Sequence, residues 1–251
     1  MKTAAIILAA STALIATACN SEQTANNVAA PEVTAAPVPA PNNGDWSTVV
    51  AKTPEGGFAM GNPQAQVKLV EFASMTCSHC AEFEEQGVKP LIDNYVKKGL
   101  VSYELRNYVR DPFDMTASLL ARCSGEAGFF GLTRNLFADQ ADWIQKIQTA
   151  DPARLQALQS MPPAQQFSTI ADLGGLKQYA SMRGVPRAKA DQCLGNEAEV
   201  NRLVQMNSDA TSQYNIPGTP TFLIGGEVVE IQAGTPTWTQ VENAIKTALA
   251  G

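Results

Sequence analysis

The alternation of apolar and polar residues predicts two strands in the first half of the chain and a hairpin near its end. Residues 67–72 and 101–110 both have the pattern of a partly buried strand. Residues 220–224 and 227–231 form two further apolar runs, and a Gly-Gly pair separates them. That spacing is typical of a tight β-hairpin.

Apolar positions at helical spacing predict helices in most of the remaining sequence. One helix follows the first strand, and another near the C-terminus has an apolar face formed by Trp238, Val241, Ile245 and Leu249. The pattern between residues 113 and 213 is helical, with segments near 114–126, 129–141, 152–159, 165–172, 176–183, 186–194 and 197–213.

This order of elements predicts an α/β fold with a helical domain inserted between strands. We assign residues 54–110 and 214–251 to the α/β domain and residues 111–213 to the helical insertion. The apolar content is normal and no internal repeat is visible, as expected of one domain with an insertion.

The first 18 residues have the features of an export signal, because Lys2 precedes an apolar segment too short to span a bilayer. Residues 16–18 have the A-x-A form of ordinary signal cleavage. Residues 15–19 instead resemble a bacterial lipobox, in which Cys19 is acylated. Acylation would leave four of the 5 cysteines for disulfides in an oxidising compartment, which favours the lipoprotein.

The segment after Cys19 is predicted to be a disordered tether. From Asn20 to about residue 45 it is rich in Ala, Pro, Asn and Thr and has almost no charge. We extend the tether to the start of the α/β domain, so that it covers residues 19–53. By resemblance to lipoprotein sorting, Asn20 favours the outer membrane, and the predicted location is the periplasm with a lipid anchor.

Charge and motif content exclude several classes of function. The formal net charge of -6 and the lack of a basic patch argue against nucleic-acid binding. The sequence has no phosphate-binding Gly-x-x-x-x-Gly-Lys loop, and its single histidine leaves no Ser/His/Asp set. We predict no cofactor.

The segment Cys77-Ser78-His79-Cys80 carries the clearest candidate chemistry, because two thiols and the only histidine lie within one helical turn. Cys77 is predicted at a strand-to-helix junction, where free amides and the helix dipole favour a thiolate. His79 is predicted to donate to that thiolate, and Cys80 is the protected partner. The alternatives are a structural disulfide and half of a zinc knuckle, but no second ligand pair is present, so we predict no metal site.

Glu71 is a second candidate, because it shares a strand face with Val67 and Leu69 and lies six residues before Cys77. A desolvated carboxylate there would have a raised pKa and could relay the Cys80 proton. The alternative is a solvated glutamate at an edge or turn.

Cys123 and Cys193 each extend an apolar stripe in the helical region. Buried free thiols are one interpretation. An exported protein favours a structural disulfide between them, which would close a loop of about 70 residues and contribute roughly 4 kcal/mol.

Residues 216–224 contain a second diagnostic stretch around Gly218-Thr219-Pro220. Pro220 could simply end a loop. A cis bond before it would instead expose the backbone of Thr219 for pairing with an extended peptide.

These features in this order resemble the DsbA family of thioredoxin-fold disulfide oxidoreductases. The resemblance rests on the strand with Glu71, the Cys-x-x-Cys motif, the helical insertion, residues 218–222, the hairpin and the last helix. The lead-in at residues 61–63 and the second cysteine pair are most similar to the alphaproteobacterial branch. Two residues depart from the oxidase pattern: Ser78 replaces the common proline, and Thr219 is also found in related isomerases.

The resemblance implies a periplasmic dithiol oxidase. We expect a monomer, because no dimerisation segment is evident between residues 20 and 54. The resemblance also implies that Cys77 forms the mixed disulfide with substrate, that Cys80 resolves it, and that Gly218, Thr219 and Pro220 hold an extended chain. The implied partners are unfolded or reduced exported proteins and a quinone-linked, DsbB-type membrane protein that reoxidises the dithiol. The alternatives are a disulfide isomerase or reductase, and a lipoprotein that binds metal at the Cys-x-x-Cys motif.

Overall fold

The computed structural model describes residues 36–41 and 44–251, and every structural statement below refers to these residues. The predicted signal segment 1–18, the acylation site Cys19 and most of the predicted tether lie outside the described residues. Within the described ranges, no helix is long and apolar enough to cross a bilayer.

The strands form one mixed sheet. They are β1 (Val50–Lys52), β2 (Phe58–Gly61), β3 (Val67–Ala73), β4 (Val101–Asn107), β5 (Thr221–Ile224) and β6 (Glu227–Val228). Their order across the sheet is β1-β2-β4-β3-β5-β6. β3 and β4 are parallel, with Val67 opposite Val101, and the other neighbouring pairs are antiparallel. β3 is therefore a central strand, and the residue that follows it starts the candidate site.

Among the described residues, one helical segment follows β3, eight α-helices lie between β4 and β5, and one helix follows β6. The first consists of α1 (Ser78–Phe83), a π-helical turn (Glu84–Val88), α2 (Lys89–Leu91) and a second π-helical turn (Ile92–Val96). Between β4 and β5 lie α3 (Pro112–Cys123), α4 (Gly125–Ala138), α5 (Gln140–Gln148), α6 (Pro152–Ala157), α7 (Pro163–Leu173), α8 (Leu176–Ser181), α9 (Arg187–Leu194) and α10 (Glu197–Tyr214). After β6, the chain ends in α11 (Thr237–Ala250), and short 3-10 helices span Trp46–Thr48 and Leu158–Ser160.

The helical insertion shares its core with the sheet. The ring of Phe129 on α4 stacks on that of Phe58 on β2, with centroids 4.0 Å apart. Phe130 packs against Tyr103 of β4, with centroids 5.7 Å apart. The predicted α/β architecture with an inserted helical region is confirmed, and the aromatic contacts explain how the insertion is fixed against the sheet.

Local sequence signals set two of the junctions near the site. Asp111 caps α3, because its side chain accepts from the amides of Phe113 and Asp114, and Pro112 takes the first helical position. In the hairpin, Gly225 and Gly226 both have positive φ, 61° and 90°, which glycine adopts without the steric cost of a Cβ. The predicted hairpin is present, although its second strand is shorter than expected.

The predicted tether is wrong for residues 46–52. Trp46 is buried and its indole nitrogen donates to the carbonyl of Val38 at 2.8 Å. Residues of β1 pair with β2, with Val50 opposite Met60. Composition alone did not reveal this, because the energy that orders the segment comes from a sheet edge and a pocket supplied by distant residues.

Two other predicted boundaries also differ from the structure. β4 ends at Asn107 rather than at residue 110, because the backbone of Val109 bonds to the side chain of Asn207 on α10 instead of to a strand. The predicted helical segment 129–141 covers only the first two residues of α5, and the rest of α5 was not predicted. Its buried face consists of few residues, chiefly Trp143 and Ile147, which gives a weak periodic signal.

Candidate active site

The loop between β3 and α1 places Cys77 at the start of a helix. Cys77 is the residue before α1 and has extended backbone angles, φ -88° and ψ 118°, while its carbonyl accepts from the Ala81 amide at 3.2 Å. Cys80 lies one turn into the helix and is fully buried, whereas 4% of Cys77 remains exposed. Both are thiols in this structure. The predicted strand-to-helix junction is where Cys77 lies.

The Cys77 sulfur is held against a loop from the other end of the chain. Its Sγ lies 3.1 Å from the carbonyl oxygen of Thr219, and the Thr219-Pro220 peptide bond is cis. The Thr219 hydroxyl is buried and has no hydrogen-bond partner among the described residues. This hydroxyl is therefore free to donate to a thiolate when Cys77 ionises.

The pKa of Cys77 is lowered from 9.0 to about 5. The largest cause is a hydrogen bond from the Cys80 thiol, which outweighs the opposing effect of burial. The Thr219 side chain, the Cys80 amide and the charge of Arg110 lower it further. At neutral pH the thiol is therefore ionised and nucleophilic.

Cys80 has the opposite electrostatic environment. Burial raises its pKa well above the ordinary thiol value of 9.0, and the neighbouring Cys77 and Glu71 raise it further. The two sulfurs of one helical turn thus differ strongly in acidity. This asymmetry makes Cys77 the better leaving group in thiol–disulfide exchange.

Glu71 is a buried carboxyl group on β3, as its strand face suggested. Only 2% of it is exposed, and it accepts a hydrogen bond of 2.5 Å from the hydroxyl of Tyr103 on β4. Burial raises its pKa to about 8, against the effect of the Tyr103 hydrogen bond, and the charges of Glu84 and Cys77 raise it slightly further. A group with that pKa exchanges protons readily near neutral pH.

Asp114 and Arg110 form a charged cluster that holds the loop before Cys77, and the sequence analysis did not predict it. Asp114 of α3 accepts from the Ser74 hydroxyl at 2.5 Å and from the Met75 amide at 2.9 Å. Arg110 Nε donates to the Ser74 hydroxyl at 2.8 Å. Asp114 is fully buried, and burial raises its pKa to about 6. The signal that could have revealed the cluster is the capped start of α3 at Asp111.

Gln140 is a second contact from the helical insertion that sequence analysis missed. Its side-chain amide donates to the carbonyls of Met75 and Cys77, at 2.9 and 3.0 Å. Gln140 is buried, with 7% exposed, and is the first residue of α5. The insertion therefore fixes the backbone on both sides of Thr76.

The predicted contact from His79 to the Cys77 thiolate is not supported. The His79 side chain is 76% exposed, and its Nδ1 lies 3.4 Å from Glu82 Oε2. The groups that lower the Cys77 pKa include the charge of Arg110 and do not include His79. The reason is geometric: the side chain of His79, the third residue of the motif, points outward from the first turn of α1.

A groove of about 940 Å³ runs beside Thr219, and we call it the hairpin groove. It is lined by the three residues predicted to bind substrate, Gly218, Thr219 and Pro220, and by His79 at its edge. The remaining lining residues are Glu82, Tyr214, Asn215, Pro217, Thr221 and residues 228–237. The structure thus brings the predicted peptide-binding loop and the Cys-x-x-Cys motif together.

The other two cysteines among the described residues lie in the helical insertion. Cys123 at the end of α3 and Cys193 on α9 form a disulfide, with Cα atoms 5.9 Å apart and a separation of 70 residues. Among the described residues, no group of three or more His, Cys, Asp or Glu side chains is arranged to hold a metal ion.

The fold and the site together define a class: a mixed sheet with a reactive dithiol at the junction of β3 and α1, facing a cis-proline loop. Comparison with known proteins agrees with this class. The thioredoxin family model matches residues 53–247. The chain belongs to the thioredoxin family, and its structural neighbours include DsbA-like oxidoreductases.

A protein-disulfide isomerase from Novosphingobium aromaticivorans is 35% identical, with a TM-score of 0.70, and the match covers 77% of this chain and 97% of that one. α-DsbA1 of Wolbachia pipientis shares the fold at 20% identity, with a TM-score of 0.59 over 85% of this chain and 94% of that one. A Rickettsia felis protein, provisionally named a protein-disulfide oxidoreductase, is 24% identical over 80% of this chain. The match spans 63% of that relative's length.

Proposed function

We propose that this chain is a thiol-disulfide oxidoreductase that introduces disulfides into exported proteins. The observation that carries the proposal is the difference in acidity between Cys77 and Cys80 across one helical turn. A stable Cys77 thiolate favours the reduced form of the dithiol, and a dithiol that prefers to be reduced is a strong oxidant in its disulfide form.

The reaction starts from the Cys77–Cys80 disulfide. A substrate thiolate attacks the Cys77 sulfur, the bond to Cys80 breaks, and the Cys80 sulfur leaves as a thiolate that takes up a proton. A second substrate thiolate then attacks the substrate sulfur of the mixed disulfide, and Cys77 leaves as a thiolate. Two electrons pass from the substrate to the enzyme, and the substrate gains one disulfide.

Glu71 is proposed to supply and remove the Cys80 proton, because its charge acts on the Cys80 thiol. Its carboxyl group is buried beside the motif and has a pKa of about 8, so it is largely protonated at neutral pH. A buried sulfur cannot exchange protons with bulk water quickly, and a neighbouring carboxyl group offers a path. Thr219 and Pro220 are proposed to hold the extended substrate, since they line the hairpin groove next to Cys77.

The proposal also concerns where the protein acts and what reoxidises it. We propose a periplasmic location with a lipid anchor at Cys19, on the basis of the sequence at residues 1–20. In that compartment a quinone-linked, DsbB-type membrane protein would return the dithiol to its disulfide. Mass spectrometry of the mature N-terminus tests the anchor, because ordinary cleavage after Ala18 would leave Cys19 unmodified.

Disulfide isomerisation is the second candidate, favoured by the 35% identity to a protein named a protein-disulfide isomerase. Isomerisation uses the reduced enzyme, because the Cys77 thiolate must attack a substrate disulfide and later be released without net oxidation. The same thiolate serves both reactions. The two functions therefore differ in the redox form that acts: the disulfide form oxidises a reduced substrate, and the reduced form repairs scrambled disulfides.

The deciding experiment is the equilibrium of the Cys77 and Cys80 pair with reduced and oxidised glutathione. Thioredoxin has a potential near -270 mV, and an oxidase is expected to have a potential well above that value. The disulfide form should also accelerate refolding of a reduced test protein, and the Cys77→Ser variant should not. A potential near that of thioredoxin, with repair of scrambled disulfides by the reduced form, would overturn the oxidase assignment.

A further inference from the structure

The hairpin groove has an uneven distribution of charge. Glu82, on α1, and Glu230, in the segment after β6, both line it and both are exposed. None of the described residues that line the groove is Lys or Arg. The groove therefore presents two carboxylates and one basic side chain, His79, and it is lined by Thr219, whose carbonyl contacts the reactive sulfur.

The two carboxylates differ in whether a basic side chain of this protein lies beside them. Glu82 Oε2 lies 3.4 Å from His79 Nδ1, and this pair attracts only when His79 is protonated. Glu230 forms no ion pair with any of the described residues. A cation from another molecule can therefore approach Glu230 without displacing a side chain of this protein.

The rest of the lining suits the stem of a long basic side chain. Val228, Val229 and Ile231 provide apolar surface on the hairpin side, and Pro217 and Pro220 provide it beside Thr219. Lys and Arg bury their methylene groups on such surface while their charged ends stay in water near an anion. An acidic substrate side chain would meet two like charges there, and His79 is the one lining residue that could offset them.

We propose that the hairpin groove selects substrate chains that carry Lys or Arg beside the reacting cysteine. This inference rests on the proposed function, because it concerns the same site and the same exchange reaction. Ion pairs at exposed positions are individually weak, so two of them give a preference of about three- to tenfold. Salt screens such pairs, and the preference should decrease as ionic strength rises.

The test compares three peptides that each contain two cysteines and differ only in whether Lys, Ser or Glu flanks the first. Each peptide is mixed with stoichiometric protein in its Cys77–Cys80 disulfide form, and formation of the peptide disulfide is followed. Each rate is divided by the rate of the same peptide with hydroxyethyl disulfide, a neutral reagent. This division removes the effect of the flanking charges on the reactivity of the peptide thiol itself.

The expected order of corrected rates is Lys, then Ser, then Glu, with a three- to tenfold range at low salt that narrows at about 0.5 M salt. In the double variant Glu82→Gln/Glu230→Gln, the ratio of the Lys to the Glu peptide should fall below about twofold. Glu197→Gln is the matched control, because Glu197 is exposed at the far end of α10, roughly 25 Å along the helix from Tyr214. It should keep the wild-type ratio.

The outcomes separate this inference from the proposed function. Oxidation of all three peptides at equal corrected rates would overturn the charge preference and leave the oxidase assignment intact. A preference that survives in the double variant would show that Glu82 and Glu230 do not cause it. Failure to oxidise any of the peptides would overturn both.

Discussion

The Tyr103 hydroxyl donates a hydrogen bond of 2.5 Å to the Glu71 carboxylate inside the central pair of parallel strands. A tyrosine lowers the pKa of this acid without adding a positive charge, so burial dominates and the pKa remains at about 8. The carboxyl group is thus kept protonated at neutral pH but able to ionise. That property is what a proton relay to Cys80 requires.

Replacing Glu71 should slow the step in which Cys80 attacks a mixed disulfide. In Glu71→Gln the side chain keeps its size but no longer accepts the thiol proton, so release of a small thiol from Cys77 should slow about tenfold to a hundredfold at pH 7. Stopped-flow measurement of that release gives the rate. Tyr103→Phe is the control, because it keeps the carboxyl group and should shift the pH profile upward rather than remove it. Equal release rates in wild type and Glu71→Gln would exclude the relay.

The same carboxyl group should make stability depend on pH. The folded-state pKa of Glu71 is about 8, above its ordinary value of 4.5, so its contribution is full below about 4.5 and is lost as pH rises through about 8. Relative to Glu71→Gln, the oxidised wild type should lose up to a few kcal/mol of unfolding free energy as the pH rises across this range. Urea unfolding of the oxidised forms between pH 4 and pH 9 measures the difference. If the difference in unfolding free energy between the two proteins stays constant with pH, the pKa of Glu71 is the same in the folded and unfolded states.

Glu71 and Gln140 show which parts of this site can be predicted from the sequence alone and which cannot. Glu71 was predictable because alternation within one strand places it among buried residues, and this is a local signal. Gln140 contacts Cys77 across 63 residues of sequence, and a glutamine at a helix start has no pattern that distinguishes it from a solvated one. The motif and the cis-proline loop were also identified from local sequence. The sequence suggests the neighbour His79 as the group that stabilises the Cys77 thiolate, whereas the structure supplies a positive charge from Arg110.

Arg110, and not His79, should influence the acidity of Cys77. Arg110→Met removes a positive charge and its bond to Ser74, and should raise the Cys77 pKa by about half a unit or more. His79→Ala should change it less, because that ring is exposed and paired with Glu82. Thiolate absorbance during a pH titration of the reduced protein measures both. A larger effect of His79→Ala would restore the role that the sequence suggested.

The disulfide between Cys123 and Cys193 should stabilise the protein without tuning the dithiol. It closes a loop of 70 residues, so the double variant Cys123→Ala/Cys193→Ala should lose roughly 4 kcal/mol of unfolding free energy. Neither residue is among the groups that shift the Cys77 pKa, so the thiolate titration should stay the same. Denaturant unfolding and the titration are measured on the same samples. A changed Cys77 pKa would mean that the insertion transmits strain to the site.

Gln140 should act as a positioning residue for the loop that carries Cys77. Gln140→Leu removes the donor to the Met75 and Cys77 carbonyls while keeping a side chain of similar size. The loss of two buried hydrogen bonds should cost about 1–3 kcal/mol. It should also speed amide hydrogen exchange in residues 74–78 relative to β4, because the loop is then held only from the Asp114 side.

Gln145→Leu makes the same substitution on the exposed face of α5 and provides the control. It should leave exchange in residues 74–78 unchanged. A loosened loop misplaces the sulfur relative to the Thr219 carbonyl, so Gln140→Leu should also lower the rate of substrate oxidation. A misplacement of about 1 Å is enough to do so. If both variants exchange and react alike, the contact from the insertion is only structural packing, and Cys77 is positioned by β3, α1 and the Asp114 cluster alone.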